Sequence, residues 1–107
     1  MSSLIKELTE ENFNEVTERD GQLALVDFWA PWCGPCLQLA PVIDELAEAY
    51  GDQVLFLKVN IDEQKSLSDR FSFKSIPTLI LLKGGKEIAR LEGRSKTRLA
   101  AEIERYL

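Results

Sequence analysis

At 107 residues the chain has room for one domain with one hydrophobic core and too little length for two. A hydrophobic share of 45% with 29% charged residues excludes a disordered or membrane-spanning chain. The formal net charge of -5 argues against nucleic acid as a partner, because phosphate binding rests on clustered Lys and Arg.

The first residues, "MSSLIKELTEENF", turn acidic quickly and hold no apolar run able to act as a secretory core or a membrane span. A cytoplasmic setting with no membrane partner is therefore expected. A domain that had lost a transit peptide would read the same way, which makes the plastid stroma the alternative. Leu4 to Leu8 is a weak strand, and a helix after Thr9 presents Phe13 and Val16. Asp20-Gly21 breaks the chain. Leu23 to Trp29 is nearly all apolar, as a strand buried on both faces should be, with Asp27 as the exception.

The two cysteines follow at once, in "APWCGPC", and open a helix that runs to about Tyr50. Leu39, Val42, Ile43, Leu46 and Tyr50 recur along it at helical spacing. Pro41 lies inside, where it removes one backbone hydrogen bond and is expected to kink the helix. Val54 to Val59 is a second buried strand and Ser66 to Phe71 a short helix. Thr78 to Leu82, the Gly84-Gly85 turn and Glu87 to Leu91 make an antiparallel hairpin. A last helix, about Ser95 to Leu107, should bury Leu99, Ile103 and Leu107.

This order, βαβαβ followed by ββα, implies an α/β fold. Strand-helix-strand units require parallel pairing, and the Gly-Gly turn requires antiparallel pairing. A central mixed five-stranded sheet flanked by four helices meets both requirements. Chemistry in such sheets gathers at the carboxyl ends of strands, which is where the cysteines fall.

Cys33 and Cys36 stand three residues apart at a helix start, so their side chains share a face and their Cα atoms lie roughly 5 Å apart, within disulfide range. Unpaired N–H groups in the first turn favour a thiolate on Cys33, the expected nucleophile. Gly34 leaves the sulfur unshielded, and Pro35 stiffens the loop where its missing N–H is tolerated. Cys36, deeper in the helix, should be less exposed and resolve the mixed disulfide. A static staple over so short a loop would constrain little. A zinc site needs four ligands, and the chain has two Cys and no His.

With "VDFWAPWCGPC", and with later signals in matching order, the chain resembles the thioredoxin family over essentially its whole length. The resemblance implies the thioredoxin fold and a general protein-disulfide reductase, with no cofactor beyond the Cys33-Cys36 couple. Its partners would be disulfide-containing target proteins and a thioredoxin reductase, NADPH- or ferredoxin-dependent, and it would act as a monomer.

Asp27 matches the family's buried aspartate beneath the resolving cysteine. By itself it is either a carboxylate that resists ionising, suited to take a thiol proton, or a strand-end group that reaches water. Lys58 matches the lysine near that aspartate and would tune it; by itself it is a snorkelling strand-end lysine. Ile76-Pro77-Thr78 matches the loop facing the disulfide, where the proline is cis and the Ile76 backbone meets an extended peptide. A trans proline opening a strand is the plain alternative. Trp32, Gly34, Pro35, Ile76 and Gly93 would form an apolar docking surface around Cys33, with Trp29 packed beneath it.

Three positions depart from the family pattern. Leu37 stands where Lys or Arg is common, Ser75 replaces a glycine, and "EGRSK" is one residue short after Gly93. Arg94 reads either as a positive charge restored near the site or, more plainly, as a solvated loop arginine. These changes bear on partner choice. The rival readings are a disulfide oxidant or isomerase, against which Gly34-Pro35 argues, and a non-catalytic binding module built on the same fold.

Overall fold

The computed structural model describes residues 4–19 and 21–107. Gly21 takes a left-handed φ of 71°, as a chain break there requires, while Asp20 of the expected break lies outside the described residues.

Five strands and the cysteine helix set the frame. β1 (Ile5–Glu7), β2 (Leu23–Trp29), β3 (Val54–Asn60), β4 (Thr78–Lys83) and β5 (Lys86–Leu91) form one sheet in the order β1-β3-β2-β4-β5. β3 runs parallel to both β1 and β2, whereas β4 is antiparallel to β2 and β5 to β4. The mixed sheet is therefore as the order of elements requires, and β2 lies at its centre. Gly84 and Gly85 close the β4-β5 hairpin with φ of 58° and 83°, the pair of positive values a two-residue primed turn needs.

β2 is apolar on both sides because both sides are covered. Leu23 and Leu25 pack with Leu39, Ile43 and Leu46 of α2 (Gly34–Tyr50) and Leu99 and Ile103 of α4 (Lys96–Glu104). Ala24, Val26 and Phe28 face the other way, onto Phe13 of α1 (Phe13–Thr17) and Leu67 and Phe71 of α3 (Lys65–Phe71). Asp27 shares the α2 face with Leu23 and Leu25 by the two-residue period of a strand. α2 continues unbroken through Pro41. No helix among the described residues is long and apolar enough to cross a membrane.

Two helix ends differ from expectation for local reasons. α1 starts at Phe13 rather than just after Thr9. Thr9 and Asn12 bond each other reciprocally, N–H to side-chain oxygen, at 2.7 and 3.1 Å, which holds a turn ahead of the helix. Its second buried residue is Thr17, whose hydroxyl donates to the Phe13 carbonyl at 2.7 Å, and Val16 is only half-buried. α4 ends at Glu104, and Leu107, expected in the core, is 54% exposed. The Tyr106 N–H donates to Ile103 O and the Leu107 N–H to Glu104 O, three residues back in each case. That tighter winding turns Leu107 off the stripe formed by Leu99 and Ile103.

Candidate active site

The carboxyl end of β2 delivers the chain directly into the cysteine segment. Cys33 is the N-cap of α2, with extended backbone angles, and its N–H is held by the Ala30 carbonyl at 3.1 Å. Cys33 and Cys36 are joined as a disulfide with Cα atoms 5.3 Å apart, close to the separation expected of a helical first turn. The Cys36 N–H points at Cys33 Sγ, 3.2 Å away. A helix cap normally places a side-chain oxygen there. Here the acceptor is sulfur, so the orphan N–H of the first turn is aimed at the atom that becomes a thiolate on reduction.

The difference in burial expected between the two cysteines is small in the disulfide state. Cys33 is 5% exposed and Cys36 3%. Their distinction lies in position instead: Cys33 outside the first turn with an N–H directed at it, Cys36 within the turn. Gly34 and Pro35 are exposed, and a Cβ at Gly34 would meet nothing within 4 Å, so the approach over this loop is open. Trp32 is 68% exposed, and its indole N–H donates to Asp62 at 3.0 Å. Asp62 itself follows β3, where its N–H is held by the Asn60 side chain at 2.9 Å. Nothing in the local sequence pattern signals that pairing, because it joins residues thirty positions apart.

The Ile76-Pro77 peptide is cis, and the Ile76 carbonyl lies 3.8 Å from Cys33 Sγ. Thr78 opens β4 opposite Phe28 of β2. Ile76 packs half-buried against Ala30, Cys33 and Cys36, together with Trp29, which is the packing role expected of that tryptophan. Leu37 and Ser75, two of the departures from the family pattern, both face solvent.

Asp27 is 7% exposed, and its Oδ1 has no hydrogen-bond partner among the described residues. Loss of hydration pushes its carboxyl up from the ordinary 3.8 to about 7, against the opposing pull of the Arg94 and Lys58 charges. Asp27 and Cys36 line one largely apolar cavity of about 170 Å³, shared with Trp29, Leu37, Asp44 and Lys58. Lys58 lies beside Asp27 in the β2-β3 register, and its Nζ stands 5.5 Å from the centre of the Trp29 ring. The buried reading of Asp27 thus holds in place of the strand-end group reaching water.

Gly93 and Arg94 occupy the loop between β5 and α4, and both differ from simple surface residues. Gly93 is buried. The Glu102 carboxylate accepts its N–H at 2.9 Å and the Glu92 N–H at 3.1 Å. A Cβ on Gly93 would collide with Arg98 Cγ and lie 2.7 Å from Glu102 Oε2, so the missing side chain serves the contact with α4. Gly93→Ala is expected to destabilise the fold by about 1–2 kcal/mol through this overpacking. A urea midpoint equal to that of the unaltered protein would show that the loop yields freely.

Arg94 is not a freely solvated loop arginine. Its guanidinium donates to the carbonyls of Gly93, Pro77 and Leu91 at 2.8, 3.1 and 3.4 Å, which ties the shortened loop to the proline facing the disulfide. Sequence reading missed this contact because it spans seventeen residues.

Comparison with known proteins agrees with this geometry. The family model described as Thioredoxin matches residues 4–105. The chain is 42% identical to Thioredoxin 1 of Synechococcus elongatus over 98% of its own length and 99% of that protein. It is 46% identical to Thioredoxin of Alicyclobacillus acidocaldarius over 90% of its length and 91% of that protein. With Thioredoxin M-type, chloroplastic, of Chlamydomonas reinhardtii it shares 39% identity, covering 94% of this chain and 72% of that one. Matched end to end with these relatives, and carrying a closed Cys33-Cys36 pair at the head of α2, the chain belongs to the thioredoxin family of thiol-disulfide oxidoreductases.

Proposed function

We propose that this protein-disulfide reductase attacks with Cys33, resolves with Cys36 and uses Asp27 to take the proton from Cys36. The observation that carries the reading is the Cys36 N–H aimed at Cys33 Sγ from the first turn of α2. In the reduced protein that N–H and the partial positive charge of the helix start stabilise a Cys33 thiolate. The thiolate attacks one sulfur of a target disulfide, forming a mixed disulfide and releasing the other target sulfur as a thiolate. Cys36 then loses its proton to the Asp27 carboxylate and attacks Cys33 Sγ, releasing the second target thiolate and leaving the Cys33-Cys36 disulfide. Two electrons pass from the protein to the target.

Asp27 suits the proton step because burial holds its carboxyl at about 7, where both forms are populated near neutrality. Lys58 tunes that group from the neighbouring strand. Trp32, Gly34, Pro35, Ile76, Pro77 and Thr78 contribute the surface on which an extended target segment lies, with the buried Gly93 supporting it from behind and main-chain contacts at Ile76 giving a broad target range. No cofactor beyond the cysteine pair takes part. A thioredoxin reductase, NADPH- or ferredoxin-dependent, returns the electrons to a monomeric protein that carries them onward to its targets. The cytoplasm is the proposed compartment, and the plastid stroma the alternative, supported by the kinds of relatives named above.

An insulin-reduction assay with dithiothreitol as electron source tests the activity directly. Micromolar protein is expected to raise the rate well above that of dithiothreitol alone. A rate equal to the dithiothreitol background would overturn the reading.

A further inference from the structure

Arg94 is held as a fixed cation rather than a mobile one. Glu102 anchors the loop before it by two backbone N–H groups, and the guanidinium itself bonds three backbone carbonyls. Guanidinium carries five N–H donors in one plane. Nη1 donates to Gly93 and Leu91, and Nη2 donates to Pro77. The Nε–H and the second Nη2 proton bond no acceptor among the described residues. Nε and one Nη group form a side edge of the guanidinium that matches the two oxygens of a carboxylate. The ion pairs of Arg90 with Glu87 and of Lys96 with Glu45 do not involve Arg94.

A hollow of about 360 Å³ opens beside this group, lined by Pro35, Gln38, Leu39, Pro77 and Arg94. Two of those residues border the reacting sulfur. Pro35 lies between the cysteines, and Pro77 follows Ile76, whose carbonyl is 3.8 Å from Cys33 Sγ. The hollow therefore adjoins the residues on either side of the reacting sulfur. Leu37, the residue after Cys36, supplies no charge. The net charge of -5 repels acidic partners over the molecule as a whole, so a fixed arginine at this rim has a specific electrostatic consequence.

We propose that the hollow between Pro35, Gln38, Pro77 and Arg94 is a specificity subsite that receives an Asp or Glu side chain of the target, adjacent to the disulfide under reduction. The proposal rests on the reductase reading above. The carboxylate bonds the Arg94 guanidinium while the exposed Pro35 ring flanks its stem. Targets acidic beside the attacked cysteine are thereby selected over otherwise equal neutral ones.

The test uses a family of disulfide-cyclised peptides in which Glu, or Gln as its neutral match, is placed in turn at each of the three positions on either side of one cysteine. Reduction rates are compared for the full chain, Arg94→Gln and Arg94→Lys. At one or two positions the Glu peptide is expected to react about five- to tenfold faster than its Gln match, as a partly exposed charge pair allows. The ratio should fall to about one in Arg94→Gln, be kept in part by Arg94→Lys, and shrink between low and high salt. Absence of a preference at every position, or a preference that survives Arg94→Gln, overturns the subsite. Equal slowing of both peptides by Arg94→Gln also overturns it, since Arg94 then only holds the Pro77 loop. Failure of the unaltered protein to reduce any peptide overturns the reductase reading itself.

Discussion

Cys33→Ser is expected to reduce disulfide turnover by on the order of a thousandfold or more, because the only sulfur placed to attack is gone. Cys36→Ser is expected to produce the same loss of turnover by another route. Its Cys33 still sits at the N-cap with the residue 36 N–H aimed at it, so the first attack proceeds and the mixed disulfide accumulates. Intact-mass measurement after mixing with insulin or a disulfide peptide separates the two: an adduct with Cys36→Ser and none with Cys33→Ser. The reverse pattern would exchange the roles assigned to the sulfurs. Since the two are almost equally buried in the disulfide, this experiment reads the electrostatic asymmetry of the helix start rather than a difference in access.

Asp27→Asn is expected to change both stability and rate, with a characteristic pH dependence. The unfolded chain ionises this group near 3.8 and the folded chain near 7. Between those values the folded state holds a proton that the unfolded state has released, so stability falls as pH rises through the window and levels off above it. The gap corresponds to a destabilisation of order 4 kcal/mol once Asp27 is fully charged. Asn has the same shape and no charge. The oxidised Asn variant should therefore match the unaltered protein near pH 4 and exceed its stability by about 2–4 kcal/mol at pH 8, measured by urea unfolding. Parallel stability profiles for the two proteins would contradict the burial of an ionisable group. In turnover the variant is expected to lose on the order of a hundredfold near neutrality at the resolution step, the usual scale of a positioned proton acceptor. Its rate should then climb with pH as the Cys36 thiol ionises unaided.

These two sites were legible in sequence to different degrees, and the reason is range. Cys33 through Cys36 is a local device whose spacing, glycine and proline specify their own geometry, and the observed first turn agrees with it. The strand order was readable because the apolar run from Leu23 to Trp29 and the Gly84-Gly85 turn leave few ways to pair the segments. Asp27 was conspicuous as the only charge in its run, although its burial depends on what α2 places over it. Contacts between distant segments carried no such signal. Arg94 with Pro77, Glu102 with Gly93, and Trp32 with Asp62 each depend on loop paths that composition does not encode. Arg90 belongs with them, since its guanidinium reaches from β5 to the carbonyls of Phe71 and Ser72 at the end of α3. Local hydrogen bonding also displaced two periodic readings: the Thr9-Asn12 turn delays α1, and the closing turns of α4 release Leu107.

Whether the Cys33-Cys36 couple is a reducing centre is measured by a redox titration of that couple in defined dithiothreitol buffers. The expected midpoint is about -270 mV, a value general to thioredoxins rather than one drawn from this geometry. A midpoint at about -180 to -120 mV, the range of isomerising and oxidising relatives, would make the protein a disulfide donor rather than a reductase.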